Sequence, residues 1–369
     1  RHLHPTAIVI WGIGAVFGPV FGPILGSIMA EIYDWRAAFF IIVPPGIAAL
    51  ACIWIALADR TERKQARFDW TGFLALSVAI IAVQLIFDRG HRLDWFDSME
   101  ITALVFVGTV SFWIFAVHCL SAKAPFVDPR LFLDRNFAAG TVVAFVMGML
   151  TFAGLVLYPS LLHDLRGYPD SAIGVLLAAR GVGNWIAFLI IVPLTRIAPR
   201  TCLGAGLALQ AFAGYSMAQF DINLTSFGII WTNVMLGFGQ SIAFTPMTVL
   251  SFATLPRERL TEAAAIFTLM RNFGSSLFIS LAVLVFLRSS TTSYSTMSER
   301  VNVIGGGSAA PPLPDAWSLD NLAGLFRLSG EIERQAEMIG YINAFQLMAL
   351  TAALAVPLAL FMRAPPADK

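Results

Sequence analysis

The sequence predicts an all-α membrane protein that crosses the bilayer many times. Of its 369 residues, 57% are hydrophobic and 13% are charged, and the mean hydropathy is +0.75. Soluble domains are roughly 45–50% apolar and about 25% charged. Runs of about twenty apolar residues, the length that crosses a hydrocarbon core of ~30 Å, recur along the whole chain. We therefore expect a helical bundle, because a helix satisfies its backbone hydrogen bonds within its own segment.

Ten segments of the sequence are long and apolar enough to cross a bilayer as helices. The first of them is rich in Gly and Pro, which membrane helices tolerate when neighbouring helices satisfy the freed backbone groups. The ten predicted spans are 6–30, 37–57, 70–88, 100–120, 137–162, 170–195, 201–219, 226–251, 262–287 and 339–362.

The distribution of basic residues predicts the orientation of the chain. Loops that face the cytoplasm carry an excess of Lys and Arg. One set of alternate short connections, together with the C-terminal end, contains thirteen basic residues, whereas the opposite short connections contain four. The sequence therefore predicts that both ends of this chain are cytoplasmic. The connections predicted to be cytoplasmic are 58–69, 121–136, 196–200 and 252–261.

The rest of the composition narrows the class of function. The net charge of +1 gives no sign of a nucleic-acid partner. The three Cys residues form no CxxC pair and the five His residues lack metal-ligand spacing, so we expect neither a metal nor another cofactor. The sequence contains no Gly-x-x-x-x-Gly-Lys-Ser/Thr loop, which argues against ATP-driven transport. It also lacks a cluster of His, Asp or Cys that would indicate an enzyme.

One connection is much longer than the others. Residues 289–338 are rich in Ser, Thr, Gly and Pro, and the predicted orientation places them on the outer side of the membrane. Two interpretations remain open, a flexible excursion and a docking surface for an accessory protein. Within this connection, apolar residues recur near helical spacing at 320–337, which predicts a short amphipathic helix.

The first span contains a repeated Gly-Pro pattern. Glycines four residues apart drift by only about 40° per step around a helix, so they share one face. Such a face lets a neighbouring helix approach closely, and each Pro removes a backbone hydrogen bond and bends the helix. Ordinary packing of small residues is the alternative interpretation. The residues of the pattern are Gly14, Gly18, Pro19, Gly22, Pro23 and Gly26.

This pattern resembles motif C, the antiporter signature on the fifth helix of drug-exporting members of the major facilitator superfamily. It ends in Gly-Ser, whereas the family form ends in Gly-Gly. The pair Gly237-x-Gly239 and the run from Arg271 to Ser276 are similar to the twelfth and thirteenth helices of EmrB-like exporters, the fourteen-helix drug:proton antiporters. A further stretch resembles the turn between the two extra helices of these exporters, and its residues are Gln84, Asp88, Arg89, Asp94 and Trp95.

The resemblance implies the major facilitator fold, with this chain supplying helices five to fourteen of fourteen. Residues 1–57 would be the last two helices of the N-terminal bundle, 58–136 the two extra linker helices, and 137–369 the C-terminal six-helix bundle. By this alignment the sequence begins just before helix five. The membrane Asp that binds the proton is then expected on helix one, outside the sequence. The resemblance also implies a periplasmic membrane-fusion adaptor as a partner, docked on 289–338.

Polar side chains inside the spans are candidates for the substrate route, because a charge at the bilayer centre costs roughly 2.5–3.5 kcal/mol. Arg180 is expected near mid-depth, with Asn184 one turn further on the same helix face. Arg271 is also inside a span, where a hydrogen bond to backbone carbonyls is the alternative role. Uncharged amides such as Gln84 are expected to join helices. The predicted cavity residues are Arg180, Asn184, Asn233, Gln240, Arg271 and Asn272.

Together with these features, the resemblance implies a proton-coupled exporter of hydrophobic or amphipathic compounds in the inner (plasma) membrane. Two bundles would rock about a site at the midplane, moving a small-molecule substrate one way and protons the other. Two alternatives stay open. One is an exporter of a specific metabolite such as a siderophore or an amino acid, and the other is a membrane fragment that does not transport.

Overall fold

The computed structural model describes Gly18 and residues 21–56, 68–122, 125–305 and 322–362. Within these ranges the chain consists of α-helices joined by short connections. The helices are α1 (Phe21–Ile32), α2 (Ala37–Phe40), α3 (Val43–Ala56), α4 (Trp70–Arg89), α5 (Met99–Ser121), α6 (Arg135–Ser160), α7 (Asp170–Ile197), α8 (Pro199–Met217), α9 (Ser226–Phe252), α10 (Leu260–Gly305), α11 (Leu322–Ala355) and α12 (Leu358–Phe361).

Eight helical segments of the described chain are long and apolar enough to cross a bilayer, and they coincide with eight of the ten predicted spans. The predicted span 201–219 forms α8, which is 19 residues long but less apolar than the eight. The predicted span 6–30 lies mostly outside the described residues, and its end contributes to α1. The all-α polytopic membrane fold is thus confirmed, and the number ten stays a prediction.

The segment predicted as a long loop, 289–338, is helical at both ends. Helix α10 continues to Gly305 and α11 already begins at Leu322, while the middle of the segment lies outside the described residues. The spans predicted from hydropathy were shorter than these helices, because a helix that extends beyond the bilayer can continue through polar residues. The Thr291 hydroxyl, for example, donates to a carbonyl one turn earlier in α10. The amphipathic helix predicted at 320–337 is the first part of α11.

Helices α6 to α12 pack into a bundle with a continuous apolar core. Helix α6 packs against α10, α7 and α8 pack against α9, and α11 packs against α10 and α8. The largest side chains buried in this core include Tyr158, Phe278 and Phe345. Helices α6 and α10 approach closely at Gly148, which has no side chain. A Cβ added there would lie only 1.9 Å from the carbonyl oxygen of Arg271. This bundle positions the polar side chains described below.

Helices α4 and α5 form a hairpin beside the bundle, and Asp69 fastens one end of it. The Asp69 carboxylate accepts hydrogen bonds from the backbone N–H groups of Gly72 at 3.0 Å and Phe126 at 2.8 Å, and it lies 2.8 Å from Nε2 of His118. Burial raises the pKa of Asp69, but these hydrogen bonds outweigh burial and hold the pKa below its usual range. The ionised carboxylate therefore caps α4 and ties it to the end of α5.

The other end of the hairpin is fastened to α10. The Gln84 amide donates to both carboxylate oxygens of Asp88 at 3.1 Å and to the hydroxyl of Ser280 at 3.0 Å. The Ser280 hydroxyl, in turn, donates to Asp88. Gln84 thus joins two helices, the role that its uncharged amide within a span predicts.

The family-like turn follows directly and has an unusual backbone. Asp94 and Trp95 both adopt left-handed conformations, with φ of 52° and 54°. The Trp95 ring lies against Gly90, where an added Cβ would be 2.8 Å from a ring carbon, so this position has no room for a side chain. Arg89 closes the turn through an ion pair of 3.0 Å with Glu100.

Candidate substrate site in the C-terminal bundle

Arg180 places a guanidinium group inside the bundle. The span that contains it begins at Asp170, so Arg180 lies about 15 Å along the helix axis, near the midplane of a ~30 Å core. The residue is 5% exposed. Helices α7 and α9 cross closely here, since a Cβ added to Gly237 would lie 1.9 Å from the carbonyl oxygen of Arg180.

The Arg180 guanidinium is only partly satisfied by the protein. Its Nη2 donates to Oε1 of Gln240 at 2.6 Å. Its Nη1 is buried and has no hydrogen-bond partner in the described part of the chain. Nor do the ion pairs found between described residues include Arg180. Because an unpaired charged donor is costly in a low dielectric, Nη1 can bind an acceptor that enters the bundle.

The polar network around Arg180 connects three helices. Gln240 donates from Nε2 to Oγ1 of Thr151 on α6 at 3.2 Å. Beside it on α9, Ser241 donates to Oδ1 of Asn184 on α7 at 3.1 Å. The structure therefore brings together Arg180, Asn184 and Gln240, which the sequence predicted, with Thr151 and Ser241, which it did not.

A buried tyrosine lies next to this network. The hydroxyl of Tyr158 is 2.6 Å from Oγ1 of Thr232, and Tyr158 is fully buried. A Cβ added to Gly154 would lie 3.6 Å from Nη1 of Arg180 and 3.9 Å from the Tyr158 ring. Gly154 therefore leaves space between the unpaired nitrogen and the ring. Sequence reasoning missed Tyr158, although it is a Tyr near the end of a span and one turn from Gly154.

The other three predicted cavity residues are held elsewhere. The Arg271 guanidinium lies 5.6 Å from the centre of the Phe244 ring, within the range of a cation–π contact. Asn272 is exposed. Asn233 is buried and donates to the carbonyl of Ile229 on its own helix at 3.0 Å. The hydrogen bonds of the Arg180 network do not include these three residues.

The described glycines of the Gly-Pro pattern face open space. A Cβ added to Gly18, Gly22 or Gly26 would meet no atom within 4 Å. Helix α1 instead contacts α7 through the face that carries Ser27. A Cβ added to Gly174 of α7 would lie 1.9 Å from Oγ of Ser27. Close packing on the glycine face thus stays a prediction. Gly14 and Pro19 lie outside the described residues, and Pro23 is part of α1.

The arrangement is suited to binding a ligand. It offers hydrogen-bond donors and hydroxyl groups inside apolar walls, as ligand sites between bundled helices commonly do. Within the described ranges, no group of three or more His, Cys, Asp or Glu residues could hold a metal ion.

Comparison of the sequence with known proteins identifies the family of the chain. The chain is 30% identical over 299 residues to the Multidrug export protein EmrB of Escherichia coli (strain K12), which covers 80% of this chain and 58% of that protein. It is 30% identical over 301 residues to the Fatty acid resistance protein FarB of Neisseria gonorrhoeae, covering 80% and 59%. It is 27% identical over 369 residues to the Probable multidrug resistance protein EmrY of Escherichia coli (strain K12), covering 97% and 71%.

The chain thus spans about three fifths of the length of EmrB and FarB. The similarity to these proteins confirms the EmrB-like resemblance found in the sequence motifs. A family model described as the Major Facilitator Superfamily matches residues 1–279, which is more than half of the chain. With this match and its many apolar helices, the chain belongs to the major facilitator superfamily.

Proposed function

We propose that the protein containing this chain exports hydrophobic or amphipathic compounds across the bacterial inner membrane in exchange for protons. The observation that carries the proposal is the buried Arg180 guanidinium, which lies near the midplane with one nitrogen unpaired. Transporters of this superfamily bind substrate near the bilayer midplane. Relatives named for multidrug export support the proposal, and the resemblance to EmrB-like antiporters supports proton coupling.

The polar network explains how the bundle could bind many compounds. Arg180 and Gln240 offer directed polar groups, whereas Leu236 and the Tyr158 ring supply apolar surface close to Arg180. An amphipathic compound can satisfy the unpaired Nη1 with an acceptor atom and place its apolar part against these walls. A site with few polar contacts tolerates variation in the rest of the ligand.

The test is the accumulation of a lipophilic fluorescent dye in cells that do or do not express the protein containing this chain. Expression should lower dye accumulation, and collapse of the proton gradient should remove the effect. Loss of export after ATP depletion, with the proton gradient intact, would contradict proton coupling. Protection against a single compound in a chemically diverse set would favour the alternative, an exporter of one specific metabolite.

We also propose that Ser98 and Ser121, at opposite ends of α5, lie on opposite sides of the membrane, with Ser121 and both ends of the chain in the cytoplasm. The unequal distribution of basic residues supports this orientation. A single Cys at either position, in a background without Cys52, Cys119 and Cys202, should report it. An impermeant maleimide added to intact cells should label Ser98→Cys and leave Ser121→Cys unlabelled. The opposite pattern would invert the orientation.

A periplasmic membrane-fusion adaptor is the proposed protein partner. The helical extensions 289–305 and 322–338 support this proposal, because helices that continue beyond the predicted spans offer a rigid surface, and the second extension is amphipathic. Replacing 289–338 with a short Gly/Ser linker should abolish co-purification with the adaptor while membrane insertion persists. Substituting Ser98, at the outer end of α5, serves as the control and should leave co-purification intact. Undiminished co-purification with the shortened protein would exclude this segment as the main contact.

A further inference from the structure

A cavity of about 530 Å³ lies between the α4–α5 hairpin, α10 and the segment 125–133. We call it the hairpin cavity. Ala79, Val83, Gly108 and Met270 are among the residues that line it, and among the described lining residues Thr109 is the one with a polar side chain. It is therefore an apolar hollow within the membrane-spanning part of the protein.

The cavity lies between two places where the hairpin and its neighbours are held to α10. At one end, Gln84 and Asp88 bind Ser280. At the other end, Cys119 of α5 packs with Ile266 of α10. The segment 125–133 is also bound there, because the backbone N–H of Asp128 donates to Glu262 of α10 at 3.0 Å. Between these attachments the lining carries the small residues Ala79 and Gly108, so the helices of the hairpin and α10 leave a gap.

Leaving the hairpin cavity empty, or filling it with water, would both be unfavourable in free energy. A void in an apolar interior forfeits the dispersion contacts of the groups around it. A buried water needs two to four polar partners, and the described part of this lining offers the hydroxyl of Thr109 alone. The surrounding solvent is lipid, so a hydrocarbon chain is the occupant that costs least.

The length and volume of the cavity fit one acyl chain. The α4 residues that line the cavity run from Leu76 to Ile86, which corresponds to about 15 Å of helix. Half of a ~30 Å hydrocarbon core is also ~15 Å. The volume lies in the range of specific ligand sites, roughly 300–1,000 Å³.

The charge at one end of the cavity suggests a phospholipid as the source of that chain. Val127 and Phe132 belong to the segment 125–133, which lies near the start of the α4 span because the backbone N–H of Phe126 donates to Asp69. Asp128 of this segment is paired with Arg259 at 2.7 Å. Between Val127 and Phe132 in the sequence lies Arg130, which is exposed. A cation at the interface attracts the anionic phosphate of a lipid headgroup. We propose that the hairpin cavity binds one acyl chain of a phospholipid whose phosphate lies beside Arg130. This proposal does not depend on the transport activity.

Photo-crosslinking of the purified chain tests the proposal. The chain is reconstituted in vesicles of phosphatidylethanolamine and phosphatidylglycerol, with a small fraction of phosphatidylglycerol carrying a diazirine in one acyl chain. Mass spectrometry should find labels on Thr109 and Met270. Val83→Trp, which fills the cavity, should cause a severalfold loss of these labels, whereas Val78→Trp on the exposed face of α4 should not. Ala79→Leu is a milder filling variant that should act in the same direction if Val83→Trp fails to fold.

Two further arms identify the source of the chain. Arg130→Gln should lower labelling by the phosphatidylglycerol probe severalfold and leave labelling by a diazirine alkane unchanged. Equal labelling of Met270 in the Val83→Trp and Val78→Trp proteins would overturn the proposal. If an excess of lipophilic dye removed the label, the cavity would belong to the export substrate and the lipid proposal would be wrong.

Discussion

Replacing Arg180 with Met is expected to reduce transport by on the order of tenfold to a hundredfold, because hydrogen bonds to charged groups are worth ~1.5–3 kcal/mol. The guanidinium is the one group of the network that carries a charge, and its Nη1 has no hydrogen-bond partner among the described residues. A substrate acceptor that binds there would lose its charged donor. Arg180→Lys keeps the charge but loses the planar fork, so we expect an intermediate loss.

The same substitution should not destabilise the protein. Arg180 is a buried charge for which no ionic partner is found within the described ranges. Replacing such a group with an apolar side chain of similar length removes a desolvation penalty that outweighs the lost hydrogen bond to Gln240. The midpoint of thermal unfolding in detergent is therefore expected to stay the same or rise. Loss of function combined with retained or increased stability is characteristic of a site residue rather than of a core residue.

Dye export in cells and thermal unfolding of the purified protein together check this prediction. Gln210→Leu is the matched control, because Gln210 is a buried polar residue of the same bundle whose amide donates only weakly, to the Met147 sulfur at 3.4 Å. It should leave export unchanged. Normal export by Arg180→Met, or a fall in stability that parallels the fall in export, would remove Arg180 from the proposed substrate site.

The sequence predicts how deep a polar residue lies in the membrane better than it predicts which side chains that residue contacts. Arg180, Asn184 and Gln240 were predicted from their positions inside spans, and the structure places all three where α7 meets α9, with Arg180 bonded to Gln240 and Asn184 bonded to Ser241. Arg271 and Asn233 met the same criterion but are held elsewhere. Depth follows from counting residues along a helix. The direction in which a side chain points depends on how each helix is rotated by packing against its neighbours.

The sequence analysis missed three residues that carry hydroxyl groups for a different reason. Thr151, Ser241 and Tyr158 carry neutral hydroxyls, which membrane helices tolerate at low cost, so their presence in a span is a weak signal. Helix ends were also misjudged, because the apolar run ends at the membrane whereas α10 continues to Gly305. The apolar spans themselves were predictable because the bilayer requires them.

Replacing Gly237 with Ala is expected to destabilise the bundle by roughly 1–3 kcal/mol or more, the usual effect of overpacking a core. The added Cβ would lie 1.9 Å from the carbonyl oxygen of Arg180, whereas non-bonded heavy atoms normally lie ~3.5–4.0 Å apart. Helices α7 and α9 must then separate at this crossing. Gly183→Ala tests the same interface independently, because its Cβ would lie 2.0 Å from the carbonyl oxygen of Val234.

The separation should also reduce export, because it acts on the site directly. Arg180 and Gln240 lie on the two helices that would move apart, and their hydrogen bond is only 2.6 Å long.

Gly204→Ala in α8 is the control, since its Cβ would meet Ala359 at an ordinary 3.8 Å and Ala favours a helix over Gly by ~1 kcal/mol. We expect Gly204→Ala to export dye normally and Gly237→Ala to lose both thermal stability and most of its export. If Gly237→Ala unfolded at the same temperature as the unmodified protein and exported dye equally well, α7 and α9 would not cross as closely as described. The placement of Arg180 against Gln240 would then have to be revised.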